Sequence, residues 1–533
     1  MASKNAANTT SAPAVSTSNA IGIFGAILIL INSVVGIGIY FKNGGVLRSN
    51  GNNPWGVLGA WVIGFFIIMC VILTLSEVLS AKVSNKQMND LGDWHRVFSG
   101  RRLGLFFKVF VPLIYYTFLF FIVSIFASEA FLSILGVGHG DTHIYIVFIV
   151  SFVFMLIISC IHVFSEKFGV AFGKYGTFIK YVPILFLILI AVLASIVAPD
   201  KSYFASSATE SREFSFTGML SSLPAILFAF DGFMVVGSVS KRIKNSSKSL
   251  PIILSVGILI VGLTYLTITI CQLISGSATI IEAFNNLFPE EFHGSLERIF
   301  GVFLFIAAIS SLNAIGLGSV NYLENIIDDN LLVGSVLVRK ITKCKKNMSG
   351  VVATWVMVLF YFAVAGIPSI IMNTDEIVDL ASNCVTFVIF IGFGLLAIFV
   401  LINRFVKTHH HIPTSNRWFG IPIAIIATIG MIAAVGYVSF YTYLARAITQ
   451  GSSPTPEIGI FFDGNPHITI LTASIIYWVT MFVFVAIPVI NNIIMDLRYN
   501  RFAVKKDIEE TENEQDDFVA AHASKTAKAK VKK

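Results

Sequence analysis

Two stretches of this chain set glycine and polar residues in the middle of long apolar runs. They are Asn32-Ser33-Val34-Val35-Gly36-Ile37-Gly38-Ile39 and Phe228-Ala229-Phe230-Asp231-Gly232-Phe233. Gly36 and Gly38 lack a Cβ, so the backbone there can leave the helix and turn its amides toward a guest. The half-helix that follows presents its positive end to the same spot, which suits a carboxylate. Close helix packing through small residues is the other use of such glycines. In the second stretch Asp231 either caps the following half-helix or orients a cationic amine near freed carbonyls. Phe230 either closes over a bound molecule or packs.

A third group with chemical potential is Lys180, in Phe178-Ile179-Lys180-Tyr181-Val182-Pro183. An ammonium inside a membrane is costly unless paired. Lys180 is therefore either a functional cation or a side chain that snorkels to the interface.

The elements that must carry these groups are membrane helices. Hydrophobic residues make up 56% of the 533 and charged residues 13%, with mean hydropathy +0.81, outside the soluble range. Runs long enough to cross a ~30 Å hydrocarbon core fall near 21–41, 57–80, 105–134, 144–164, 175–198, 218–239, 252–274, 299–323, 350–372, 378–403, 419–446 and 467–493. The reading is an all-α integral membrane protein with twelve spans, the third, eighth and eleventh being long. Unwound backbone survives in a membrane only where it lines a cavity or is buried in protein. Breaks at corresponding positions of two halves therefore point to a transporter's solute site.

Thirty of the 37 Lys and Arg lie in the loops near 82–102, 163–174, 241–248, 339–346 and 404–417, in the tails, or at Lys108. That asymmetry puts both termini in the cytoplasm of a cell-membrane protein. It accounts for the net charge of +7 without nucleic acid, which would need a basic soluble face. Residues 1–20 read as a disordered tail without a signal-peptide core, and 494–533 as a charged cytoplasmic tail. The five cysteines show no CxxC spacing, which argues for packing roles over a metal or redox site. His409-His410-His411 reads as incidental. No cofactor is expected.

Residues 21–41 resemble the first span of amino acid–polyamine–organocation permeases, through Gly36-Ile37-Gly38-Ile39-Tyr40-Phe41. Phe228 to Phe233 resembles the family's Phe-Ala-Phe-Asp-Gly-Phe stretch, followed by Ile243-Lys244-Asn245 and Pro251. Gly59-Ala60-Trp61 and Ser76-Glu77-Val78-Leu79 resemble its second span, and residues 308–330 its eighth. The resemblance covers most of 20–330. It implies a leucine-transporter-type fold in which spans one to five and six to ten are inverted repeats with broken helices 1 and 6. The ten-helix core would occupy 21–403 and two additional spans 419–493. Carried over, the substrate carboxylate would meet Val35, Gly36, Ile37 and Gly38, and the amine would meet Phe228, Ala229, Phe230 and Asp231. Lys180 would contact first-span carbonyls near Val34 or Gly36 and stand where sodium-coupled relatives hold a cation. Ser310 and Ser311 would be the remnant of that site's hydroxyl pair. A proton rather than sodium is then the coupling ion.

Some positions depart from the family pattern. Ile37 stands between the two glycines where relatives often carry a small or hydroxyl residue. Met234 and Arg242 stand where many have glutamates, Ser246 replaces a proline, and Asn321 an arginine. A cytoplasmic gate built from those charges is not expected. Glu77 is expected to pair with Lys82 or cap a loop, and aromatic packing is expected of Tyr115 and Tyr116, with the reach of one of them into the cavity as the alternative. Glu129 and His162 are expected at interfaces.

The function expected is secondary transport of an amino acid, proton-coupled (a symporter) or by exchange. No Walker motif is present to use ATP. A polyamine or organic-cation permease is the related alternative, though it would want more carboxylates near Asp231. A membrane-embedded sensor or enzyme is the alternative from another class, and the spans lack the paired catalytic groups it would require. Oligomeric state is not legible.

Overall fold

The structure is a computed structural model. It describes residues 22–35, 38–79, 90–137, 143–164, 176, 178–209, 213–238, 243, 246–343, 345, 347–405, 412, 420–453 and 468–498. Among these residues the regular structure is helical. That is the outcome physics dictates for apolar segments in lipid, where backbone donors and acceptors must be satisfied within the segment.

The main helices are α1 (Ile23–Val34), α2 (Gly38–Ser49), α3 (Pro54–Leu79), α4 (Leu91–Phe98), α5 (Arg101–Ile134), α6 (Ile144–Phe164), α7 (Tyr181–Val197), α8 (Phe216–Ala229), α9 (Ser246–Ile274), α10 (Glu290–Asp328), α11 (Met348–Met372), α12 (Glu376–Phe405), α13 (Gly420–Gln450) and α14 (Ile470–Arg498). Among the described residues nine are long and apolar enough to cross a membrane: α3, α5, α6 and α9 to α14. The three segments expected to be long give α5, α10 and α13, with 34, 39 and 31 residues. Three apolar helices are shorter: α1, α7 and α8. Two of them, α1 and α8, stop where the sequence places its glycine breaks.

α5 is almost wholly buried and packs along α10. α3 and α1 lie on α9, and α12 lies on α13. α5, α11 and α13 each contain a π-helical turn, at Val111–Tyr116, Phe362–Gly366 and Val438–Ala445. Such turns widen the helix by one residue and re-aim its side chains.

The short α4 packs against the start of α5 and against α12. Asp90 caps it, accepting the Asp93 N–H at 2.9 Å, and Lys108 bridges Asp90 and Asp93 at 2.7 and 2.8 Å. His95 fastens α4 to α12. One ring nitrogen meets the Gly392 carbonyl at 3.0 Å, the other the Ser99 hydroxyl at 2.8 Å, and the ring stacks on Phe107.

Candidate functional site at the two helix breaks

The two interruptions meet. α1 closes with the Val35 N–H donating to the Ile31 carbonyl at 2.8 Å. Gly36 and Ile37 lie outside the described residues, and Gly38 opens α2. α8 ends at Ala229. The chain then turns through Phe230 to Met234 and resumes helix over Val235–Ser238. Gly232 makes this turn possible. Its φ is +92°, and a Cβ there would sit 2.9 Å from the Ser33 carbonyl oxygen, so any side chain meets both strain and a clash.

One residue of α9 ties the breaks together. The Tyr265 hydroxyl lies 2.8 Å from the carbonyl oxygens of both Val34 and Ala229. Those carbonyls are orphaned by the ends of α1 and α8, and the phenol serves both. Tyr265 also forms one wall of an aromatic box around Phe230. Phe65 stacks on that ring at 6.0 Å, and Trp61 meets it edge-on at 6.2 Å. The Trp61 indole N–H donates to Asn43 Oδ1 at 2.7 Å, and the Asn43 amide donates to Thr269 at 3.2 Å and to Gln272. Phe230 is thus held by packing in this conformation.

Asp231 is not a bare carboxylate. Oδ1 accepts the Gly232 N–H at 2.8 Å and the Tyr115 hydroxyl, while Oδ2 accepts the Thr386 hydroxyl at 3.3 Å. Instead of capping the helix that follows, it pins the broken segment to α5 and α12. Tyr115, expected to be a packing ring, reaches it from the π-helical turn of α5.

Lys180 is 1% exposed. Its ammonium donates to the Asn32 carbonyl at 2.6 Å and to the Ser311 hydroxyl at 2.7 Å, so it does not snorkel. The Ser310 hydroxyl donates to Asn32 Oδ1 at 2.9 Å. Lys180, Ser310 and Ser311 therefore come together on the first helix. The recorded carbonyl belongs to Asn32, two residues before Val34. Gly176 allows the approach, since a Cβ there would overlap the Ser310 hydroxyl.

A family model described as amino acid permease matches residues 21–462. The chain belongs to the amino acid permease family. The permease is 24% identical over 347 residues to an uncharacterized protein of Mycoplasma pneumoniae, a match covering 58% of this chain and 60% of that protein. It is 21% identical over 396 residues to the serine/threonine exchanger SteT of Bacillus subtilis, covering 72% of this chain and 83% of SteT.

Elsewhere in the permease several expectations change. Glu77 pairs with Arg404 at the end of α12, its Oε1 accepting the guanidinium Nε–H at 3.0 Å and its Oε2 accepting from Nη2. Sequence could not rank Arg404 over the nearer Lys82, which lies outside the described residues. His162 is buried, with Nε2 3.1 Å from the Asn313 carbonyl, and Glu129 is buried too. Both side chains are packed inside the protein rather than exposed at its surface. Among the described residues no group of three or more His, Cys, Asp or Glu could hold a metal. Arg242, Lys244, Asn245, Cys344, His409 to His411 and residues 1–20 and 499–533 lie outside the described residues. Asn43, Trp61, Phe65, Thr386 and Tyr265 were missed because nothing in their local sequence separates them from other span residues.

Proposed function

We propose that the protein is a secondary active transporter that moves an amino acid by alternating access. Membership of the amino acid permease family supports the substrate class, and a serine/threonine exchanger among its relatives favours small polar amino acids. The observation that carries the mechanism is the pairing of the two breaks through Tyr265.

In this reading the chain crosses the cell membrane twelve times, with α1–α2 and α8–Val235 as the broken spans of two inverted repeats. Residues 21–403 form the core, 419–493 two further spans, and 1–20 and 494–533 cytoplasmic tails. The α-carboxylate docks on the positive end of α2, against the amides of Gly36, Ile37 and Gly38. The Val35 amide is engaged by Ile31 and contributes position rather than a donor. The α-amine docks along Phe228, Ala229, Phe230 and Asp231, where the helix dipole of α8 ends negative.

Lys180 supplies the coupling. Its ammonium, bonded to Asn32 and Ser311, stands in the place of a cation, and Ser310 holds the Asn32 side chain. Releasing its proton weakens the bonds that hold the first helix, which frees α1 to move. In this reading a proton rather than sodium drives uptake. Exchange of one amino acid for another is the second reading, favoured by the SteT match.

The test is uptake of labelled amino acids into proteoliposomes under an inward proton gradient, an inward sodium gradient, or neither. The expected result is accumulation with the proton gradient alone, lost in Lys180→Gln while substrate binding persists. Undiminished pH-dependent accumulation in Lys180→Gln overturns the coupling role.

A further inference from the structure

A short helix, Ser335–Thr342, lies between α10 and α11 and has three sides of different character. Ser335 and Thr342 are buried, the Thr342 hydroxyl 2.9 Å from that of Ser349 in α11. Val338, on the same side at i+3 from Ser335, packs on a cluster formed by Val109 of α5, Leu323, Ile326 and Ile327 of α10 and Ala353 of α11. Val336, Leu337 and Ile341 turn away and are each more than half exposed among the described residues. The third side is basic. Arg339 and Lys340 occupy the last turn, Lys343 ends the helix and Lys345 follows it. Arg339 is anchored to the Asn330 side chain, whereas Lys340, Lys343 and Lys345 are exposed. The helix holds no acidic residue.

The contacts of this helix fix its depth. In the turn before it, the Val333 N–H donates to Asn491 Oδ1 at 2.8 Å, and the Asn491 amide donates to the Leu331 carbonyl at 2.9 Å. Asn491 belongs to α14, within the run Ile470–Leu497 that is apolar enough to cross a membrane. It stands about 9 Å short of the end of that run, at 1.5 Å per residue. Ile490, Ile493 and Leu497 are exposed around and beyond that level. The apolar side chains of the short helix therefore open at a height where α14 still presents apolar surface. Lysines beside such side chains are the composition of a helix lying in a membrane interface.

In such a helix the apolar side chains sink into the boundary between acyl chains and headgroups, while flexible lysine stems carry their ammonium groups out to the phosphates. A cluster of Lys and Arg on an amphipathic helix beside a membrane span suits anionic lipid, and Arg339, Lys340, Lys343 and Lys345 form one. Asp328 and Asp329, at the end of α10, are the nearest acids in the sequence and leave the balance positive. We propose that the helix Ser335–Thr342, with Lys343 and Lys345, is a docking surface for anionic phospholipid headgroups. Val336, Leu337 and Ile341 are seated in the bilayer, and Lys340, Lys343 and Lys345 meet the phosphates. The surface is separate from the two helix breaks and does not depend on which solute the permease carries.

The test titrates the full-length protein, in a neutral detergent, with phosphatidylglycerol, phosphatidylcholine or inorganic phosphate and reads the thermal unfolding midpoint. Phosphatidylglycerol alone is expected to raise it, and less so at high salt. The Lys340→Gln/Lys343→Gln/Lys345→Gln variant is expected to need roughly tenfold or more of that lipid for the same rise. An unchanged titration in that variant, or an equal rise with phosphatidylcholine or inorganic phosphate, overturns the assignment. A second readout follows the apolar side in proteoliposomes of phosphatidylcholine and phosphatidylglycerol. The fluorescence that Leu337→Trp adds to the wild type is expected to be quenched by brominated acyl chains and not by aqueous iodide. Quenching by iodide, or by neither reagent because protein covers this side, overturns it.

Discussion

The carbonyl oxygens of Val34 and Ala229, 195 positions apart in the numbering, each lie 2.8 Å from one hydroxyl, that of Tyr265. The two helix breaks are thereby held at a fixed spacing from a third helix. Ser33 and Gly232 touch beside them, so movement of either broken span must carry the other or cut these contacts.

Tyr265→Phe keeps the ring that packs on Phe230 and Trp61 and deletes only the hydroxyl. Removing the single O–H that the two buried carbonyls share costs about 1–3 kcal/mol. The expected outcome is a lower thermal unfolding midpoint together with at least a tenfold loss in uptake. An uptake rate equal to the wild type would show that the breaks keep their spacing without Tyr265.

The buried Glu77–Arg404 pair joins α3 to the end of α12. Removing one partner of a buried ion pair takes from the other its charge-assisted hydrogen bonds, at roughly 3–5 kcal/mol. Arg404→Leu and Glu77→Leu should each be strongly destabilised in detergent, whereas the double variant should recover much of the loss. Additive losses, measured by a double-mutant cycle of thermal stability, would mean that the two side chains do not depend on each other.

His95 gives the α4–α12 contact a pH dependence. Burial pushes its pKa down to about 4, against the opposing pull of the Gly392 carbonyl. The neutral ring donates to that carbonyl and accepts from Ser99. A group whose folded pKa is depressed supports the fold above its unfolded pKa, about 6.5, and loses that support as pH falls toward 4. The loss over that window is of order 3 kcal/mol. Between pH 7.5 and 5 the wild type should lose more thermal stability than His95→Gln, and parallel curves for the two would contradict this.

The helical segments and both breaks were legible because hydropathy marks apolar runs, and glycine, Asp231 and Lys180 are rare within them. Lys180 could be tied to Ser310 and Ser311 only through the family resemblance, since nothing local links residues so far apart. The same distance hid Arg404 from Glu77. Tyr265 and Trp61 could not be picked out among 15 tyrosines and six tryptophans. Their roles arise from carbonyls and amides that tertiary packing brings to them. Tyr115 reaches Asp231 from a π-helical turn, which a 3.6-residue period does not register. Glu129 was read as an interface residue from its place near a span's end, and it is buried in the protein.

The central claim is that an amino acid binds where the two breaks meet. Counterflow tests it most directly: proteoliposomes preloaded with an unlabelled amino-acid pool, taking up trace label without any ion gradient. The wild type should exchange label, and Gly232→Val, whose side chain would collide with Ser33 at a φ of +92°, should not exchange it. Absence of counterflow for every amino acid in the wild type, or undiminished counterflow in a folded Gly232→Val, would contradict the claim.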